Sequence, residues 1–143
     1  MSCGIASALR HLKPSCKVFA SEVETAAPVS TSFKAKEPST CPYTATFVDG
    51  IGSKSMLNEM WPMVRNLISD SCVVSLRQIA DAVKLLADRN HVIAEGAGAS
   101  SVAAALSGQA GKGNIVCVVS GGNIDTSKLV TILEGNVPFS RLP

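Results

Sequence analysis

Short apolar runs of strand length alternate with longer stretches of helical period along the whole chain. Gly4–Leu12 reads as a helix stopped near Pro14, and Lys17–Ser21 (KVFAS) as a short strand. Residues 24–45 hold Pro28, Pro38 and Pro42 among many Ser and Thr, which predicts a loop-rich stretch with one short helix at Pro28–Ala35. Asp49-Gly50-Ile51-Gly52 is a turn signal. Leu57–Ile68 has helical periodicity, with Trp61 and Val64 on one side and Pro62 arguing that the helix begins near there. Cys72–Ser75 predicts a strand. Ser75 then caps a helix in which Leu76, Ile79, Val83 and Leu86 recur at helical spacing through Ala87. His91–Ala94 reads as extended, Ala97–Leu106 as a small-residue helix ended by Gly108, and Gly108–Gly113 as a loop. Ile115–Val119 predicts a strand and Asp125–Leu133 a final helix. Strands alternating with helices favour an α/β class with a largely parallel sheet and flanking helices.

The most informative junction is Val118-Val119-Ser120-Gly121-Gly122-Asn123-Ile124-Asp125. An apolar strand runs into a Ser-Gly-Gly-Asn turn and then a helix start. In open α/β folds such a turn, at the carboxyl end of a strand, is where ligands bind. Ser120 admits two readings: a hydroxyl that approaches a flat ring over bare glycine backbone, or an Asx/ST turn capping the last helix.

Composition narrows the classes. The 143 residues suffice for one domain with a core; they are 46% hydrophobic and only 17% charged. That is apolar for a small domain, as expected of part of a larger fold or of a subunit with a large interface. Charged residues interrupt every apolar run before it reaches membrane-spanning length, and no basic region precedes the N-terminal apolar patch, so neither a membrane span nor a signal peptide is expected. A net charge of +2 with scattered basic residues and few aromatics argues against nucleic-acid binding. The cysteines at 3, 16, 41, 72 and 117 form no CxxC pair, and we read them as reduced thiols in a cytoplasmic protein.

Other motifs carry less. Glu95-Gly96-Ala97-Gly98-Ala99-Ser100-Ser101 opens a helix after an apolar run, but the third glycine of a dinucleotide fingerprint is a serine and the following acidic residue is missing. Small residues that let a helix pack closely on a sheet explain it better. A nucleotide-binding module using Gly96 and Gly98 stays as an alternative. Gly108–Gly113 lacks the order of a P-loop, and no Gly-x-Ser-x-Gly elbow occurs. His11 and His91 have no partner at ligand spacing; isolated carboxylates such as Glu22, Glu24 and Asp49 read first as solvated.

Several ordered motifs together resemble the threonine dehydratase and serine racemase family of pyridoxal-phosphate enzymes, the tryptophan-synthase-β-like fold type II class. These are GIASALRHLKPSCKVFASE, TFVDGIGSK, WPMVRNL, AEGAGASSVAAALSG and VVSGGNID. The resemblance implies that residues 1–143 are a partial cofactor-binding large domain, the C-terminal portion of a dehydratase or racemase. It implies that Ser120 hydrogen-bonds the pyridine nitrogen, that Gly121 gives the ring room, that Gly50 lines the cofactor face and that Glu95 lies near the ring. The family's Schiff-base lysine, glycine-rich phosphate cradle, substrate-carboxylate loop and small domain lie upstream, so no catalytic residue is assigned and the chain is expected to be inactive alone. In metal-dependent members a cation is held by a Glu, a backbone carbonyl four residues on and an Asp two further. Glu22 and Ala26 stand at the first two positions and Pro28, without a carboxylate, at the third, so a tight divalent-cation site is not expected. A serine or threonine substrate and a homodimer are implied for the full enzyme. The alternative is a non-catalytic regulatory or partner subunit derived from the same family.

Overall fold

The computed structural model describes residues 1–138; residues 139–143 of the expected 1–143 unit lie outside the described residues. Its elements in chain order are α1 (Ser2–Leu12), β1 (Phe19–Val23), α2 (Pro28–Ala35), α3 (Trp61–Leu67), β2 (Asp70–Val74), α4 (Leu76–Leu85) continued by a π-helical turn (Leu86–Asn90), α5 (Gly96–Leu106) and α6 (Thr126–Leu133). The expected α/β class is what the chain adopts. β1 and β2 pair in parallel, with Phe19 opposite Asp70 and Val23 opposite Val74.

The strand period of two divides the side chains between two helix layers. Val23, Cys72 and Val74 enter the larger core with Ile79, Val83, Ala99 and Ile132, contributed by α4, α5 and α6. From the same face Ser21 donates to the Ser100 carbonyl of α5 at 2.9 Å. Ala20, on the opposite face, joins a smaller core around Ala6, Trp61, Val64 and Ile68. There Phe33 of α2 meets Trp61 of α3 edge to face, with ring centroids 5.6 Å apart.

Glu22 shares this second face and is buried. One carboxylate oxygen accepts the Val29 N–H (2.7 Å); the other accepts the Ser30 N–H (2.8 Å) and the Ser71 hydroxyl (2.7 Å). Those amides belong to the first turn of α2, where Pro28 has no N–H to satisfy. Just past the end of β1, Glu24 accepts the Leu76 N–H at 2.9 Å and ties down the start of α4. Ser75 and Gln78 add a reciprocal capping box to α4. The outer edge of β2 is met by a side chain: the Gln109 amide accepts the Val73 N–H (3.1 Å) and donates to the Val73 carbonyl (2.9 Å).

Three expectations are corrected. Each paired strand lies about two residues from its predicted span: β1 ends at Val23 rather than Ser21, and β2 begins at Asp70 rather than Cys72. Glu22, read first as solvated, is buried and fully engaged. Ile115–Val119 pairs with no strand among the described residues, and Val116 is 89% exposed there. A buried strand needs a ladder on its edges and cover on its faces. The described residues supply this run only a lean against α5, with Ser101 donating to the Val118 carbonyl and Cys117 contacting the Ser101 carbonyl. No described helix is long and apolar enough to cross a membrane.

Removing the Glu22 carboxylate leaves two helix amides and a hydroxyl without their acceptor. Glu22→Ala is expected to lower unfolding free energy by about 2 kcal/mol or more. Ser75→Ala, which removes one cap at an exposed helix start, is expected to cost about 1 kcal/mol. Urea denaturation of both variants checks the order.

Candidate functional site

The first turn of α5 packs against two other segments with almost no space between backbones. A methyl group on Gly98 would collide with the Gly121 carbonyl oxygen and come within 2.9 Å of its nitrogen; one on Gly121 would collide with Glu95 Oε1. At Gly50 a methyl would lie 2.8 Å from Ala97 Cβ and 3.3 Å from Glu95 Oε1. Three stretches distant in sequence therefore converge only because each presents glycine at the contact. The Glu95 N–H donates to the Gly121 carbonyl at 3.0 Å and locks the arrangement.

A cleft of about 320 Å³ opens beside this knot. Phe47, Asp49 and Gly50 form one side, Glu95 the floor, and Asn123, Ile124, Asp125 and Lys128 the side belonging to α6 and its entry. Lys128 Nζ lies 2.7 Å from an Asp125 carboxylate oxygen and 3.8 Å from one of Asp49. The hydrogen bond to Asp125, opposed in part by desolvation and aided by the charges of Asp125 and Asp49, raises the Lys128 ammonium above the ordinary lysine range. A raised lysine contributes fully below its ordinary value and loses that contribution as pH climbs through the raised one. The lysine therefore stays charged through neutral pH, and its side of the pairing is lost in alkali.

The structure brings Gly50 and Gly121 against Glu95. Ser120 is next to them, exposed, and makes no hydrogen bond to another described residue. Glu22 and Ala26 lie apart, at the junction of β1 and α2. Both Glu22 oxygens are spent on Val29, Ser30 and Ser71, and Pro28 forms the first turn of the helix they cap. That donor set does not suit a divalent cation, and no group of three His, Cys, Asp or Glu able to hold a metal ion occurs among the described residues.

Sequence reasoning passed over Asp49 and Lys128 as cleft residues. The spacing of Asp125 and Lys128, three apart at a helix start, was the available signal. It also passed over Ser32-Phe33-Lys34, which has the Ser-x-Lys spacing of the family's lysine. Here that triplet is part of α2: the buried Ser32 hydroxyl donates to the Pro28 carbonyl, Phe33 packs on Trp61, and Lys34 is exposed and does not line the cleft.

A doubly covered parallel sheet pair with a glycine-built cleft at a helix entry is an α/β ligand-binding frame. Residues 1–121 match the model of the pyridoxal-phosphate dependent enzyme family, and the chain belongs to that family. It is 35% identical over 135 residues to the L-threonine ammonia-lyase of Geobacter sulfurreducens, covering 92% of this chain and 33% of that protein. Against the catabolic L-threonine dehydratase of Escherichia coli it is 35% identical over 133 residues, 90% of this chain and 40% of that one. Among solved structures, maize serine racemase superposes with a TM-score of 0.80 at 32% identity, covering 93% of this chain and 44% of the other. The processed threonine deaminase isoform 2 of Solanum lycopersicum gives 0.81 at 27% identity, covering 92% and 40%. The chain therefore spans between a third and somewhat under half of the length of these relatives.

Gly98→Ala and Gly121→Ala must push backbone against backbone or displace Glu95, and each is expected to cost about 1–3 kcal/mol. Gly50→Ala meets the fixed Ala97 methyl and is expected to narrow the cleft. Thermal melts of the three variants measure the cost. For the thiols, burial first and the Asp70 charge second raise Cys72, and burial raises Cys117. Both thiolates are disfavoured, so alkylation of the native protein at neutral pH is expected to label the exposed Cys16 well before Cys72. Mass spectrometry of partially labelled protein reads the order.

Proposed function

We propose that this chain is part of the cofactor-binding large domain of a pyridoxal-phosphate dependent ammonia-lyase or racemase acting on serine or threonine. The observation that carries the proposal is the glycine knot of Gly50, Gly98 and Gly121 around Glu95, with the unengaged Ser120 hydroxyl at its edge. The contacts at Gly50 and Gly121 are filled by Glu95 and Ala97, so what the knot supports is a tightly seated Ser120–Gly122 turn, its hydroxyl free of described partners, near a cleft of about 320 Å³. The residues present therefore fit one side of a pyridoxal-phosphate site.

When bound, that group supplies an electron sink for loss of the substrate α-proton. Ser120 offers the ring nitrogen a neutral hydroxyl, which, unlike a carboxylate, does not hold it protonated. The sink is thereby weakened, a balance suited to β-elimination rather than to routes needing a long-lived carbanion. Gly121 and Gly50 let Glu95 pack between their segments, and its backbone N–H is tied to Gly121. Lys128 is the one lysine lining the cleft, and its ammonium is engaged by Asp125 and Asp49. No amine here is free to act as nucleophile or base, so turnover by these residues alone is not expected. The whole enzyme would convert its amino acid to a 2-oxo acid and ammonia, or invert it, as a cytoplasmic homodimer.

A second reading, a non-catalytic partner subunit of the same family, draws on the exposed apolar runs Val92–Ile93 and Ile115–Val119, which another polypeptide would cover.

The test adds pyridoxal phosphate and L-serine or L-threonine to the 143-residue chain, following cofactor absorbance and 2-oxo acid. Weak, saturable cofactor binding that Ser120→Ala reduces, without 2-oxo acid, is expected. Robust turnover would overturn the assignment as a partial site. A nucleotide-induced thermal shift with no response to pyridoxal phosphate would favour the nucleotide alternative. Restored turnover on mixing with a catalytically competent family member would favour the partner reading.

A further inference from the structure

The Asp49-Gly50 turn is held unusually lightly for a wall of the cleft. Phe47 and Val48 before it are buried, at 4% and 2% exposure. Beyond them, residues 49–52 make no backbone hydrogen bond to any described residue. Gly50 packs against Ala97 and Glu95 with little area, and the half-buried Ile51 packs on the main core, so the turn is anchored by packing at Phe47, Val48 and Ile51 while Asp49 itself is exposed. The polar tie across the cleft is Lys128: Asp125 at 2.7 Å, on its own helix, aims the ammonium, and Asp49 at 3.8 Å receives it.

We propose that Lys128 is a positioning residue, an ionic staple that joins α6 to the Asp49-Gly50 turn and sets the width of the cleft. Its side chain is 34% exposed and that of Asp49 68%, so the staple is open to solvent and weakened by salt. The cleft consequently tightens at low ionic strength and loosens at high. That the cleft faces pyridoxal phosphate is the reading given above, on which the functional consequence rests; the staple itself does not depend on it.

Backbone 15N order parameters of the 143-residue chain test it, read at Gly50, Ile51 and Gly52 with α4 as internal reference. Lys128→Met is expected to lower them in the turn, from the rigid value of about 0.85 toward the flexible range below about 0.6, while α4 is unchanged. Lys128→Arg is expected to restore the order of the turn, and Lys112→Met, an exposed lysine outside the cleft, to leave it intact. Raising salt from 10 mM to 1 M shortens the Debye length from about 30 Å to about 3 Å and should loosen the turn in the parent chain but not in Lys128→Met. Unchanged order parameters at 50–52 in Lys128→Met, or an equal fall in α4, overturn the staple. A parallel pyridoxal phosphate titration separates the two ideas. Binding that weakens in Lys128→Met but not in Lys128→Arg supports the positioning role. Binding by neither protein sinks the cofactor reading while the order parameters still decide the staple.

Discussion

The contact between the Gly98 and Gly121 backbones is the constraint on which the site depends. Helix α5 enters close enough to the Ser120–Gly122 turn that neither position tolerates a Cβ. That approach lets the Glu95 N–H reach the Gly121 carbonyl and brings Gly50 onto the same side chain. Moving α5 outward by the width of a methyl group would break these contacts between three segments at once. Stability and cleft shape therefore rest on the same few atoms, and substitutions at these glycines cannot affect one without the other.

Charge does most of its organising at helix ends. Glu22 in β1 and Glu24 just past its end each take amides from the first turn of a different helix, α2 and α4. Lys84 and Arg77 of α4 reach the last carbonyls of α6 and the residue after it, with Lys84 donating to Leu133 and Arg77 to Gly135. Carboxylates at helix starts and cations at helix ends agree with the backbone dipoles. The sheet is only two strands wide, so these polar ties place the helices as much as apolar packing does.

Legibility followed the range of the interaction. α2 was read to the residue because Pro28 marks its first turn locally, and the start of α4 because Ser75 and Gln78 cap it within four residues. Strand ends were read less well: β1 runs on through Glu22 and Val23 because β2 pairs with them, a long-range fact absent from the local pattern. The run Ile115–Val119 has the right composition for a buried strand, but composition does not supply a neighbour. Of the proposed site, Ser120, Gly121, Gly50 and Glu95 were singled out through an ordered set of motifs; Gly50 and Glu95 line the cleft, and Gly121 packs against Glu95. Asp49 and Lys128 were missed as a pair because only folding brings the turn to α6.

The Gln109 amide on Val73 gives the sheet a direction. In a parallel ladder the N–H and carbonyl of one residue face the same neighbour, and both of those groups on the outer side of β2 are already taken by Gln109. A strand arriving there would have to evict a side chain that satisfies it twice. The margin beyond β1 carries no such plug at its centre. The sheet is thus a one-sided template: strands from the same polypeptide or another can be added past β1, while the β2 margin is closed to stacking of copies edge to edge.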